Sequence, residues 1–494
     1  MLKNLLMCAK HNFFWTSMSN KLVNLTGAEV KVWIGTGNGD SQKNESYISY
    51  DPFDLFHLKG MTLNGGDTLI DLQKIELLDY YNFGKILDRA DVGSKLSYSE
   101  RNHLFFAHLC FWHDIIIKNS IDLIIFSNIP HTPDSYGLFV SAKVLNIKTI
   151  TVNVTPLPGI IYLTGAHTET ILSGHSYKSE IFENYKTLHE FSSNFFLNPK
   201  SELWYMKMQR EQEVQSLTKI INTISPKHWI RKSRKYLKSS SLNTGEKKYR
   251  SIKRYEGLYD GKSKSTLREL LVKTRWVHYR YQLEKELKSC EVSKIPEKFL
   301  YFPLHYQPEA TTAPGSGFFS DQHVLVDLIT NHLPEDVFLV IKEHPTQLYR
   351  KNWGISGRSL GYWKKITRNK KVILVDRGKN SKELIEKSIG VVTGTGTAGY
   401  EAIVQGKTAL VFGRPWYLHH PRAIETNFSN VGKVIKLLTK PKSDRPNALI
   451  EAENEEFLRI ASKFLIKCDV HGYTKGQVER DPEYLAQVIF QHVD

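Results

Sequence analysis

The chain has 494 residues, enough by length for two to three domains, and its 41% hydrophobic and 24% charged residues are the balance of a globular protein with sizeable cores. Four widely spaced cysteines (Cys8, Cys110, Cys290, Cys468) with no C-x-x-C argue against a disulfide framework or thiolate metal cluster and fit a reducing cytoplasm. No apolar run reaches the roughly 18 to 20 residues of a membrane span, and the net charge is +16.

In chain order, "MLKNLLMCAKHNFFW" has too short an apolar run for a signal-peptide core and predicts a first buried strand at "NLLMCA". "TSMSNKLVNLTG" has helical spacing and ends at Gly27, and "EVKVWIG" alternates as a strand, completing a β-α-β unit. "GTGNGD", from Gly35 to Asp40, is expected to border a cleft. "IDLIIFSNIP" predicts a buried strand, "SYGLFVSAKVLNI" a helix and "KTITVNVTP" another strand. These make residues 1–165 an N-terminal Rossmann-like domain.

Residues 166–297 read as a helical, basic-aromatic linker or insertion. Between Lys227 and Lys288 there are nineteen Lys or Arg against six Asp or Glu, an excess of thirteen that leaves the rest of the chain nearly balanced. Trp229, Tyr236, Tyr249, Tyr255, Tyr259, Trp276, Tyr279 and Tyr281 are interleaved with those cations. The mixture suits an anionic membrane surface or an anionic acceptor; a solvated linker and nucleic acid are the competing readings.

The alternation resumes at Phe299 with strand "FLYFPLH", helix "SDQHVLVDLITNHL", strands "VFLVIKEHP" and "KVILVD", helix "SKELIEKS", strand "GVVTG", helix "AGYEAIVQG" and strand "TALVFG". Residues 298–440 are thus a second, C-terminal Rossmann-like domain. Residues 441–494 are expected to be helices that pack back on the first domain. The fold class is α/β, two doubly wound parallel sheets facing a cleft at their carboxyl edges, where such sheets bind ligands.

The residues of interest follow strands. Gly394, Gly396 and Gly399 form a G-x-G-x-x-G turn between a strand and a helix. Its late position and the lack of an acidic residue about 20 positions on argue against a dinucleotide fingerprint and for a phosphate cradle. Thr393, Thr395 and Thr397 add hydroxyls; the alternative is a tight turn that only packs a helix. His344-Pro345 ends another strand, at the cleft or as a loop histidine capping the strand end. Glu401 is either a ribose acceptor or an ordinary helix residue. Glu309, Thr311 and Thr312 are cleft residues or turn chemistry around Pro308 and Pro314, and Arg422 is an anion partner or a structural residue. In the first domain His131 and Asp134, in "PHTPDSYG", are the candidate general base; a proline-rich turn with a helix cap is the alternative. No D-x-D occurs, which favours metal-independent transfer.

"KEHP", a Thr/Gly-rich turn leading to "YEA" and "GKTALVFG", then "WYLHHPR" together resemble the capsular polysaccharide biosynthesis family, and within it the bacterial Kdo transferases. GT-B sialyltransferases and teichoic-acid glycerophosphotransferases are more distantly similar. Relatives commonly carry serines at the turn where this chain has threonines. The resemblance implies a GT-B glycosyltransferase that takes Kdo or a related acid sugar from a CMP-linked donor, needs no separate cofactor, and serves a glycan or lipid-linked glycan acceptor at the cytoplasmic face of the membrane. It also implies that His344 and the Thr395/Thr397 turn hold the nucleotide phosphate. A CDP-glycerol-type glycerophosphotransferase and a non-catalytic glycan- or lipid-binding protein remain the alternatives.

Overall fold

The computed structural model describes residues 2–35, 47–50, 71–91, 96–165, 170–172, 192, 196, 206–214, 266–309, 311–349, 353–440, 446–472 and 479–493. Most of the basic tract, with Trp229, Tyr236, Tyr249, Tyr255 and Tyr259, and most of the "GTGNGD" loop lie outside these residues.

In the first domain β1 (Asn4–Cys8), α1 (Phe13–Thr26), β2 (Glu29–Ile34) and β3 (Ile48–Tyr50) come first, then α2 (Leu77–Ala90), α3 (Tyr98–Lys118), β4 (Leu123–Phe126), α4 (Pro133–Val144), β5 (Lys148–Val154), β6 (Ile160–Gly165) and β7 (Thr170–Leu172). Local chemistry sets the ends. Asn12 caps α1 by accepting from the Trp15 amide at 3.2 Å, and Gly27 closes that helix at φ 71°. Ser97 and Glu100 form a capping box on α3, and Pro133 opens α4. The strands are β-branched and apolar on both faces, as a sheet covered on both sides requires.

Five strands pair in parallel in the order β3-β2-β1-β4-β5. The fully parallel expectation fails at one edge, where β6 runs antiparallel to β5 and β14 (Leu465–Lys467) antiparallel to β6. The five-residue turn "TPLPG" between β5 and β6 permits only a hairpin, since a parallel return needs a crossover of a dozen or more residues.

The second domain begins earlier than its first strand. α5 (Thr266–Cys290), assigned from the sequence to the linker, buries Leu283 and Leu287 in the second domain's core. Next come β8 (Phe299–Pro303), α6 (Gln322–Thr330), β9 (Phe338–Lys342), α7 (Tyr362–Ile366), β10 (Val372–Val375), α8 (Ser381–Lys387), β11 (Gly390–Thr393), α9 (Thr397–Val404), β12 (Ala409–Val411), β13 (Ala423–Glu425) and α10 (Val431–Thr439). β13 is a sixth strand that the sequence did not suggest, because "AIE" is three residues long. All six are parallel, in the order β10-β9-β8-β11-β12-β13. Counted from β8 this is 3-2-1-4-5-6, the doubly wound order whose switch point lies between β8 and β11.

Two sets of contacts join the domains. α11 (Asn447–Ala461) packs on the second domain and α12 (Pro482–Phe490) on α1 of the first, with β14 between them in the first sheet. Leu157, Ile160 and Tyr162 share a core with Tyr400, Trp416 and Phe457. On the other side α2 meets the 317–321 segment: the Tyr81 hydroxyl donates to the Phe318 carbonyl at 3.2 Å and Lys85 pairs with Asp321 at 3.5 Å. The carboxyl edges of the two sheets flank the space between these contacts. Among the described residues no helix is long and apolar enough to cross a membrane.

Candidate active site

At the switch point the loops after β8 and β11 meet. His305 follows β8 directly, and its Nε2 accepts the Gly394 amide at 2.8 Å. A ring nitrogen that accepts is unprotonated, so the proton of a neutral His305 sits on Nδ1. Burial, and secondarily the Arg358 charge, push its pKa down to about 4. Gln322 fastens His305 from both sides: its Oε1 accepts from the His305 amide at 2.8 Å and its Nε2 donates to the His305 carbonyl at 3.2 Å. In the sequence His305 is the last residue of the predicted strand "FLYFPLH" and is not among the candidate site residues. Its position immediately after the first strand of a doubly wound domain was the available signal.

The glycine turn is built by close approach. A Cβ on Gly394 would lie 2.2 Å from Ser316 Oγ, and one on Gly396 would lie 2.8 Å from His305 Cε1 and 2.9 Å from Thr393 Oγ1. The hydroxyls of Thr393 and Thr395 take part in holding the turn. Thr393 is buried and its Oγ1 accepts from the Gly396 amide at 2.9 Å; Thr395 Oγ1 donates to the Thr311 carbonyl at 3.0 Å. Tyr417 Oη donates to the Gly396 carbonyl at 2.6 Å from behind. The remaining donors are the first amides of α9, at Thr397 and Ala398, which have no partner within the helix, and the Thr397 hydroxyl. Replacing Gly396 by alanine forces His305 off its seat; we expect a loss of about 1–3 kcal/mol by overpacking, read from the urea midpoint.

His344 and Pro345 follow β9, on the far side of β8 from the turn. Two strand spacings put the two strand ends roughly 10 Å apart, with His305 between them. His344 Nδ1 accepts from the Thr346 amide at 3.3 Å and faces the Thr346 hydroxyl at 3.1 Å, so the neutral ring carries its proton on Nε2. Burial first, then His305, Arg358 and Lys342, lower its pKa to about 3. It is therefore a neutral hydrogen-bond donor at physiological pH. Both histidines titrate lower in the folded than in the unfolded chain, where imidazole titrates near 6.5. Their stabilisation is complete above about pH 6.5 and is lost as pH falls towards 4 and 3, at up to about 1.4 kcal/mol per pH unit for each ring. The urea midpoint is expected to fall from pH 7 to pH 5, and by less in His305→Gln.

Beneath His344 lies a buried ion pair. Arg358 donates to Glu343 through Nε (2.8 Å) and Nη2 (3.0 Å), and Trp363 Nε1 and the His344 amide donate to the same carboxylate at 2.9 and 2.7 Å. The strand alternation sends Lys342 to the opposite face. There it meets the charge of Glu401, on α9. Burial pushes Lys342 down to about 8 and raises Glu401, which Lys382 and Lys342 partly offset. Lys342 Nζ also donates to the Lys379 carbonyl at 2.8 Å. Glu401 thus stands beside the cradle on the α8–α9 face of the sheet.

Other candidates are placed less centrally. The Thr312 hydroxyl donates to Glu309 at 3.5 Å, and the Thr311 carbonyl accepts from the Thr395 hydroxyl of the turn at 3.0 Å. Arg422 is not at the cradle: it is buried against α11, pairs with Glu453, and donates to the Gly406 carbonyl at 2.6 Å. Its place after "HHP" suggested a loop facing the cleft, but β13 starts at the next residue and turns the arginine to the helix layer. In the first domain Asp134 is 4% exposed, in the first turn of α4 near Cys8, whose thiol it helps to push up after burial itself. There its carboxylate lies near the positive end of the helix dipole. His131 is half-buried at the carboxyl edge of β4, and its Nδ1 donates to the Ile129 carbonyl at 2.5 Å, so that Nε2 is the accepting nitrogen of the neutral ring. His11, which the sequence reading passed over, occupies the equivalent edge after β1 and contacts the Tyr47 hydroxyl at 2.5 Å.

Comparison with known proteins adds to this picture. Residues 221–420 match the family model for capsule polysaccharide biosynthesis proteins. No curated protein matches the chain. Among solved structures, the UDP-GlcNAc 2-epimerase of Methanocaldococcus jannaschii is 12% identical at a TM-score of 0.24, over 93% of this chain and 99% of that one. The beta Kdo 2,7 transferase of Thermosulfurimonas dismutans KpsC is 13% identical at a TM-score of 0.24, over 45% of this chain and 63% of that one, so this chain spans less than two thirds of its length. The matched segment contains the His344 strand end, the glycine turn and Glu401, the same residues that carried the resemblance. The match to that family model covers 200 of the 494 residues.

Proposed function

We propose that the protein is a glycosyltransferase of surface polysaccharide synthesis that transfers Kdo or a related acid sugar from a CMP-linked donor to a glycan or lipid-linked glycan. The observation that carries the reading is the meeting of His305 Nε2 with the Gly394 amide at 2.8 Å. It locks the glycine turn open at the switch point, with the α9 amides on one side and His344 on the other. The departing CMP oxygen gains negative charge as the bond to the anomeric carbon breaks, and fixed donors aimed at it favour the transition state over the ground state. His344 supplies a neutral Nε2–H, the α9 terminus its amides, and Glu401 accepts from the ribose. His131 Nε2 removes the proton of the acceptor hydroxyl, whose oxygen forms the new bond to the anomeric carbon while CMP leaves with the electron pair. Donor and acceptor supply all the atoms exchanged. Residues 227–288 hold the protein at an anionic membrane surface, a role supported by their excess of thirteen positive charges.

Incubation with CMP-Kdo and a Kdo-terminated glycolipid tests the proposal. Acceptor-dependent release of CMP, lost in His344→Ala, is the expected result. Turnover of CDP-glycerol instead, or CMP binding with no turnover in the presence of acceptor, would overturn it.

A further inference from the structure

A cavity of about 1090 Å³ lies on the other face of the second sheet from Lys342 and Glu401, walled by α2 of the first domain on one side and by α5 and the loop before α7 on the other. It is at the upper end of the size range for small-molecule sites, about 300–1,000 Å³.

Its charges are unevenly committed. The acidic lining residues already have partners: Asp88 and Asp91 bind Arg101 at 2.7 and 3.0 Å, and Asp321 caps α6 through the His323 amide at 3.1 Å and pairs with Lys85. Arg358 is held by Glu343. Arg275, Lys365 and Arg368 also line the cavity, are exposed, and have no carboxylate partner among the described residues. Trp276, half-buried on α5 between Arg275 and the cavity's other α5 residues, offers an aromatic wall of the kind that sugar rings stack on. Gln282 and Gln307 add amide donors and acceptors. Three uncommitted cations beside an aromatic wall and amides suit a polyhydroxylated ligand that carries anionic groups.

The end of the basic tract that the structure describes is turned inward here. Arg280 pairs with Glu213 and Glu284, Leu283 and Leu287 are in the core, and Glu286 accepts from the Gly361 and Trp363 amides at 2.7 and 3.2 Å. One face of this stretch of α5 is a wall of the cavity.

We infer that this cavity binds an anionic glycan, with Arg275, Lys365 and Arg368 holding its carboxylate or phosphate groups. That this glycan is the acceptor rests on the sugar-transfer reading; that it binds here does not.

Calorimetric titration of the full chain tests the inference with three probes: trigalacturonic acid, its neutral methyl ester, and galactose 1-phosphate. At least one anionic probe is expected to bind, and the methyl ester at least tenfold more weakly than the free acid if the carboxylate form is the one recognised. Which anion binds separates carboxylate from phosphate recognition. Arg275→Gln/Lys365→Gln/Arg368→Gln should weaken the bound anion at least tenfold and leave CMP binding unchanged. Lys364→Gln/Lys370→Gln/Lys433→Gln removes the same charge outside the lining and should bind as the native chain does. The inference is overturned if neither anion binds, if the two triple variants weaken binding equally, or if the cavity variant loses CMP as well. If the anion binds the native chain and CMP does not, the cavity stands and the CMP-donor reading falls.

Discussion

Arg358→Met will destabilise the protein by about 3–5 kcal/mol, the cost of leaving a buried carboxylate without its cation. Glu343 has no exposure, and four donors converge on it: Arg358 twice, Trp363 and the His344 amide. Removal of the guanidinium leaves two neutral donors on a charge that has no route to water. The methionine fills a similar volume, so the loss reports charge and not a cavity. Adding Glu343→Gln removes the orphaned charge and should recover part of the loss, since the amide oxygen still accepts from Trp363 or His344. A urea midpoint in the single variant within 0.5 kcal/mol of the native value would show that the pair is not what supports the β9 loop. Because Arg358 also donates to the His305 carbonyl at 3.1 Å, the same change should loosen both histidine loops of the site.

His344→Ala will lower kcat for sugar transfer by about 10²–10³, the usual cost of deleting one preorganised donor to a developing anion, and will change the donor KM much less. The reason is its tautomer. Thr346 holds Nδ1 as an acceptor, and the depressed pKa keeps the ring neutral, so Nε2–H is available without a desolvated charge in the ground state. Activity should therefore show no loss from His344 deprotonation anywhere between pH 5 and 9. A fall in transfer that follows a group near pH 6.5 and disappears in the His344 variant would contradict this assignment. Equal losses in kcat/KM carried entirely by KM would make His344 a ground-state binding residue instead.

Much of the second domain was legible because its signal is strong: short β-branched runs, each followed by a helix with 3.6 periodicity, fix both the elements and their parallel sense. The same regularity placed His344, Gly394 and Gly396 after strands. What the sequence could not show was which atoms those loops would use on each other. Thr393 and Thr395 looked like ligand donors, yet the close approach of the Gly394–Gly396 backbone to His305 and Ser316 needs their hydroxyls to hold the turn. Arg422 failed for a different reason, since a three-residue strand gives no periodic signal and its presence redirects the side chain. Asp134 lies in the first turn of a helix in a segment rich in small and apolar residues, and only packing against β1 reveals that it is buried. The antiparallel edge of the first sheet starts from the local hairpin of β5 and β6, but the pairing of β6 with β14 joins segments more than 300 residues apart, and no local pattern encodes it.

The most direct measurement is equilibrium binding of CMP, compared with CDP, UDP, GDP and dTDP, to the native chain and to Gly396→Ala. The account expects CMP to be preferred, to add about 2.7 kcal/mol of stability at 100 times its dissociation constant, and to bind at least tenfold more weakly once a methyl group displaces His305 from the turn. CMP binding of equal strength in a folded Gly396→Ala protein, or no stabilisation of the native chain by any of the five nucleotides, would contradict it.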